Sequence, residues 1–182
     1  MINVLYLDDE EHNLTSFRAA FRRDFKVFVT TEPSEALLML RENPIEVVIS
    51  DQKMPSISGV EFFELIMPDH PNPVRMLLTG HADIDAVIDA INKGRIYKYI
   101  SKPWNEAELR KLVEEASHLY KSRTESEAQA TDYGIKLYES QEKLVALSKD
   151  LASCEELSED ARKSYSQRIN ELIEMLEVPK MI

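Results

Sequence analysis

Ile2-Asn3-Val4-Leu5-Tyr6-Leu7-Asp8-Asp9-Glu10 is the stretch on which the fold turns. A short, almost uninterrupted apolar run ends abruptly on three acids. Runs of this length are strands, and the lack of polar alternation implies burial on both faces, as in a parallel sheet. Comparable runs recur at Lys26-Val27-Phe28-Val29, Val47-Val48-Ile49-Ser50, Arg75-Met76-Leu77-Leu78 and Tyr97-Lys98-Tyr99-Ile100. Between them, apolar residues fall at helical spacing: Leu14, Phe17, Arg18 and Phe21; Ala36, Leu37 and Leu40; Val60, Phe63 and Met67; Ile84, Val87, Ile88 and Ile91. Each set predicts a helix with one buried stripe. Five strand-helix repeats in about 120 residues imply an α/β fold, an open, doubly wound parallel sheet, since right-handed crossovers permit little else.

In such a sheet the ligand crevice lies beyond the carboxyl ends of the strands. The residues there are polar: Asp8 and Asp9 after the first run, Asp51 after the third, Thr79 after the fourth, and Ser101, Lys102 and Pro103 after the fifth. With those strands as neighbours, the three carboxylates converge and need a proton or a cation to coexist. An all-oxygen acidic site without His or Cys at ligand spacing selects a hard cation such as Mg²⁺. A carboxylate can be the nucleophile in phosphoryl transfer, with the metal neutralising phosphoryl oxygens and the Lys102 ammonium taking what the metal leaves exposed.

Tyr6-Leu7-Asp8-Asp9-Glu10, Ser50-Asp51-Gln52-Lys53-Met54-Pro55 with Gly59, Leu78-Thr79-Gly80 and Tyr99-Ile100-Ser101-Lys102-Pro103, in that order and each ending a predicted strand, resemble the receiver domain of two-component response regulators. The resemblance covers residues 1–120 and implies a (βα)5 flavodoxin-like sheet of strand order 2-1-3-4-5. It implies that Asp51 is the phosphoacceptor, supplied by a histidine kinase or phosphotransfer protein. Asp9 would ligate Mg²⁺ directly, Asp8 through a water, with Asp51 and the Lys53 backbone carbonyl completing the set. Thr79 would turn its hydroxyl to the phosphoryl oxygen, and Tyr99 would change rotamer with it. Pro103 would fix the loop geometry, through a peptide bond that is commonly cis in this family. Lys53 and His81 flank the path of the hydrolytic water and would modulate the lifetime of the acyl phosphate. The resemblance implies a signalling protein rather than an enzyme, phosphorylated also by small donors and dephosphorylating itself. Leu78-Thr79-Gly80-His81-Ala82-Asp83 and Ile100-Ser101-Lys102-Pro103-Trp104 resemble receivers of the hydrogenase-regulator and HD-GYP type, which serve several outputs.

Plainer roles compete for these residues. An Asp-Asp pair after a strand is by itself a common helix cap, Tyr99 is a good strand former, and Gly59 and Gly80 would serve tight turns beside the pocket. His12, His70 and His118 are expected to be solvated. An aspartyl-phosphate hydrolase needs a second acid beside its nucleophile, whereas Gln52 and Lys53 follow Asp51. A scaffold that never takes phosphate is opposed by the intact set Asp8, Asp9, Asp51, Thr79 and Lys102.

Seven of the eight prolines precede Trp104, and residues 104–178 contain none, with Gly134 the one glycine. The chain is therefore two-part, the second part being residues 121–182. Asn105 and Glu108 resemble a capping pair, and Leu109, Leu112, Val113, Ala116, Leu119 and Tyr120 continue as one stripe. The polar stretch 121–134 predicts a kink, a loop or fraying. From Leu137 to Leu176 apolar residues recur at threes and fours, with a phase shift near Leu157, which reads as a coiled coil or helical hairpin. So narrow a stripe needs a partner; a homodimer through this helix is the leading expectation, and a stalk to an output domain remains open. The net charge is −11, which disfavours direct contact with nucleic acid or anionic lipid. One cysteine, Cys154, excludes an intrachain disulfide, and without a cationic, apolar leader a reducing cytoplasmic setting is expected.

Overall fold

The structure, a computed structural model, describes residues 1–80, 95–153 and 158–176. Strands β1 (Ile2–Leu7), β2 (Phe25–Thr30), β3 (Val47–Asp51), β4 (Val74–Thr79) and β5 (Lys98–Ser101) form one parallel sheet, ordered β2-β1-β3-β4-β5. This is the doubly wound order expected. Helices α1 (Glu11–Phe21), α2 (Pro33–Glu42) and α3 (Gly59–Ile66) alternate with the strands, and α4 (Glu106–Ser153) and α5 (Glu159–Met175) follow β5. The predicted stripe at Ile84, Val87, Ile88 and Ile91 lies outside the described residues.

Period-two alternation splits the core into two layers. Val4 and Tyr6 join Leu14, Phe17, Phe21, Leu109 and Val113 on one face of the sheet. Leu5, Leu7 and Val48 join Ala36, Leu40, Phe62 and Phe63 on the other. Every residue of β3 and β4 is buried, which accounts for the predominance of apolar residues in both. Two stripes differ from expectation. Arg18 is exposed on α1, because its charged head stays in water beside the Leu14, Phe17, Phe21 row. On α3, Phe62, Phe63 and Ile66 are buried, while Val60 and Met67 are half-buried at its margins.

Gly59 opens α3, which Ser58 and Glu61 close with a reciprocal capping box. A Cβ there would lie 2.4 Å from the Asp51 carbonyl oxygen and 2.6 Å from Leu77 Cδ1. Its role is thus close approach of helix to strand. Among the described residues, no atom lies within 4 Å of a Cβ added at Gly80. Neither glycine adopts the left-handed backbone that favours glycine, so backbone conformation does not demand glycine at either position.

At the amino-terminal edge of the sheet Glu46 is buried, accepting from Asn3 N at 3.2 Å and from Ser117 Oγ of α4 at 2.5 Å, with Lys121 Nζ 3.7 Å away. This bond fastens the first turns of α4 to the sheet, alongside the Arg110 to Asp24 ion pair at 3.0 Å.

The chain forms two compact units, Met1–Thr124 and Glu125–Ile182. Residues 121–134, expected to kink or fray, are helical throughout. Their polar groups are consumed within the helix: Thr124 Oγ1 donates to the Tyr120 carbonyl and Thr131 Oγ1 to that of Glu127, and Lys136 pairs with Asp132 at 2.6 Å. Back-bonding satisfies the hydroxyls, while the good helix formers Glu125, Glu127, Ala128, Gln129 and Ala130 and the pairing of Asp132 with Lys136 offset the weak propensity of Ser and Thr. In the second unit α5, capped by Ser158, returns along α4, with Gln141 Nε2 donating to the Leu176 carbonyl at 2.9 Å and Ile169 buried. Cys154, Leu157 and Val178 lie outside the described residues.

Candidate functional site

Register brings the polar strand ends together. Leu7 pairs with Ser50, Asp51 with Leu78, and Thr79 with Ser101. Asp8 and Asp51 each follow those paired residues by one place, so they sit level on neighbouring strands, and both are buried. Lys102 enters from the end of β5, its amide donating to the Thr79 carbonyl at 2.9 Å. Its ammonium donates to Asp8 Oδ2 at 2.8 Å and to Asp51 Oδ1. Asp51 Oδ2 accepts from the Lys53 amide at 2.6 Å. The Lys102-Pro103 peptide bond is cis.

The two carboxyls are held differently. For Asp8, burial works against ionisation, but hydrogen bonds from Lys102, Tyr6, Asn13 and the Glu10 amide outweigh it and hold the carboxyl below its ordinary range. For Asp51, burial dominates over Lys102 and pushes the carboxyl up. The Lys102 ammonium, despite its own burial, is stabilised by both acids, so its affinity for the proton rises. The pocket therefore holds one firmly charged acid, one more basic carboxylate and a cation between them.

Thr79 is buried, and its hydroxyl donates to the Gly80 carbonyl at 2.9 Å. Tyr99 stands on β5, paired with Leu77 and substantially exposed. Lys53 is exposed; His81 lies outside the described residues. Asp9 is exposed in the loop that follows β1, and among the described residues no group of three His, Cys, Asp or Glu is arranged to hold a metal ion. Lys102 bridges the other two acids. The side chain of His12 reaches Glu10 at 3.2 Å on the surface.

Three participants went unread in the sequence. Tyr6, fully buried, donates its hydroxyl to Asp8 Oδ2. Asn13 Nδ2 donates to Asp8 Oδ1 at 2.8 Å. Gln52 Oε1 accepts from the Val60 amide at 3.2 Å, tying the residue after Asp51 to α3. Tyr6 carried a usable signal: it is a side chain with a polar tip on β1, two residues before the acid that follows the strand.

Residues 4–114 match the family model for the response regulator receiver domain. The chain belongs to that family. The receiver is 33% identical over 129 residues to the hydrogenase transcriptional regulatory protein HoxA of Bradyrhizobium diazoefficiens, matching 71% of this chain and 27% of that protein. It is 32% identical to a putative NtrX-like response regulator of Rickettsia bellii, over 69% of this chain and 27% of that one. The chain thus spans about a quarter of the length of these relatives. Among solved structures, a response regulator receiver domain protein from Clostridium thermocellum superposes with TM-score 0.63 at 30% identity, covering 66% of this chain and 98% of that one. An uncharacterized protein from Neptuniibacter caesariensis does so with TM-score 0.65 at 34% identity, covering 68% and 93%.

Proposed function

We propose that the receiver takes a phosphoryl group on Asp51 from a histidine kinase or phosphotransfer protein and passes the change to its helical second unit. The observation that carries this is the Lys102 ammonium held between Asp51 and Asp8 at the ends of adjacent central strands. A carboxylate oxygen of Asp51, kept basic by burial, attacks phosphorus; the P–N bond of a phosphohistidine breaks as the new P–O bond forms, giving an acyl phosphate. Lys102 then has a phosphoryl oxygen to follow. The Thr79 hydroxyl gains an acceptor that the bare carboxylate lacks, and this difference is the switch, with Tyr99 on the adjoining strand as its relay. Lys53 and His81 would set how readily water reaches the acyl phosphate.

The donors present are hard oxygens, and one ammonium leaves the two acids with a net negative charge, so the set fits Mg²⁺. Asp9, Asp51 and the Lys53 carbonyl would hold the ion, with Asp8 acting through water. Bound there, it would neutralise the phosphoryl oxygens. Hydrolase chemistry fits less well: Asp8 is held ionised and cannot donate a proton, and Gln52 is committed to α3.

The hairpin of α4 and α5 leaves Ile135, Tyr138, Leu172 and Met175 exposed, which supports a homodimer through the second unit. Analytical ultracentrifugation should show a dimer at tens of micromolar; a monomer with and without phosphate would refute it. The acidic composition argues against nucleic-acid contact by these residues. A transcriptional output of the kind named for HoxA would belong to residues outside the matched span. No described helix is long and apolar enough to cross a membrane, and a cytoplasmic setting suits a kinase-coupled receiver. Incubation with acetyl phosphate and Mg²⁺ should add one phosphoryl group by intact mass, and Asp51→Asn should abolish it; an adduct persisting in that variant would overturn the assignment.

A further inference from the structure

Asp8 and Asp51 share one ammonium but differ in how fully they are used. An ionised carboxylate offers about four acceptor directions. On Asp8 all four are taken: Oδ2 by Tyr6 Oη and Lys102 Nζ, Oδ1 by the Glu10 amide at 3.1 Å and Asn13 Nδ2 at 2.8 Å. Asp51 accepts from Lys102 and the Lys53 amide, one on each oxygen. The acid with room to react is therefore Asp51, while Asp8 is saturated.

Tyr6 is the donor that the fold fixes most firmly. It is fully buried on β1, and its ring lies 4.5 Å from that of Phe17, which in turn meets Phe21 at 4.8 Å. Its hydroxyl has no solvent to turn to, and it donates to the same oxygen as Lys102. A cation approaching Asp8 must displace one of the four donors. The buried phenol would be left without an acceptor, so its displacement is the most costly.

We propose that Tyr6 is a positioning residue whose hydroxyl, by occupying the Asp8 oxygen shared with Lys102, withholds Asp8 from direct ligation of a divalent cation and reserves it as the anchor for the ammonium. The proposal rests on the metal-assisted phosphoacceptor reading above. It adds a cause for the indirect role of Asp8, and that cause lies in a residue of the hydrophobic layer.

The test uses the full chain and Mn²⁺ alone, an ion of similar ligand preference, with binding read from the loss of the free-ion EPR signal. Tyr6→Phe keeps the ring and the Phe17 contact but frees one acceptor direction, so Mn²⁺ should bind roughly threefold or more tightly, a fraction of what a hydrogen bond to a charged group is worth. Affinity unchanged or weakened in a folded Tyr6→Phe variant overturns the proposal. Phe17→Leu disturbs the same packing without touching the hydroxyl and should leave Mn²⁺ affinity at the parental value; a matching shift there would mean that ring packing sets the affinity, and would also overturn it. Should Tyr6→Phe fail to fold, Asn13→Ala removes another of the four donors from a half-buried helix position and must tighten Mn²⁺ in the same sense, and no tightening refutes the saturation of Asp8. A parent chain that binds no Mn²⁺ would remove the metal site itself, whereas phosphorylation of Asp51 is scored separately by mass.

Discussion

Substituting Gly59 by alanine tests how tightly the start of α3 is seated on the strand that carries Asp51. The added Cβ would lie 2.4 Å from the Asp51 carbonyl oxygen, 2.6 Å from Leu77 Cδ1 and 3.1 Å from Ser50 Oγ. The leucine methyl and the serine hydroxyl can turn aside. The carbonyl cannot, because it belongs to the last residue of a fully buried central strand. Relieving that contact to ordinary van der Waals distance moves helix and strand apart by about 1 Å in a core whose density tolerates little displacement. Overpacking of this kind costs about 1–3 kcal/mol, and contact with backbone puts this case at about 2–3 kcal/mol or above. For a unit of this size that is a fall in melting temperature of roughly 8–15 °C. The assay is urea denaturation followed by far-ultraviolet circular dichroism, with Gly80→Ala as the partner measurement. Among the described residues nothing lies within 4 Å of a Cβ at Gly80, and its backbone is not left-handed, so its substitution should change stability by less than about 0.5 kcal/mol, or raise it slightly. If Gly59→Ala costs under about 1 kcal/mol, or no more than Gly80→Ala, the close-approach reasoning is wrong.

Ser117→Ala leaves the buried Glu46 carboxylate short of one donor and should cost about 1–3 kcal/mol in urea denaturation; a change below about 0.5 kcal/mol would show that water or Lys121 replaces the hydroxyl. Lys102→Ala leaves two buried acids side by side and should destabilise the first unit by about 2–3 kcal/mol at pH 7. The loss should shrink toward pH 5 as the pair takes up a proton, and a deficit independent of pH would contradict the shared-ammonium geometry. Burial first, then the hydrogen bond to Asp8, raises the pKa of Tyr6 in the folded chain above the unfolded value near about 10. The folded state therefore keeps a proton that the unfolded state releases, so this contribution is complete below about pH 10 and is lost as pH rises beyond it. Stability measured between pH 9 and 11 should fall less steeply in Tyr6→Phe than in the parent, and parallel slopes would refute the linkage.

Much of the site was legible because its residues are strand ends. An apolar run that stops at an acid announces both the element and the place where its carboxylate emerges, which is why Asp8, Asp51, Thr79 and Lys102 were readable together. Asp9 is the acid that the strand pattern fixes least, since β1 ends at Leu7 and neither alternation nor register sets its direction in the loop beyond. Tyr6 looked like one more apolar residue of β1, and only the packing of Phe17 and the position of Asp8 turn its hydroxyl into part of the site. Glu46 was similarly hidden, since its partner Ser117 lies 71 residues away. In the second unit the Ser and Thr content of residues 121–134 pointed to a break, but their hydroxyls bond back to helix carbonyls, and the helix continues to Ser153.

The chain alone determined the strands, their parallel sense and the identity of the acids and the lysine at their ends, because burial on two faces and the stop at each strand end are written in local hydrophobicity; the order of the strands came with the family resemblance. Tertiary structure decided how those groups are shared. Sheet register set Asp8 level with Asp51, and Lys102 reached across to both from β5. The four donors around Asp8, drawn from β1, the loop after it, α1 and β5, made it the charged anchor and left Asp51 as the basic carboxylate. Hydrogen-bond saturation depends on distances between segments far apart in the chain, and no spacing along the sequence encodes it.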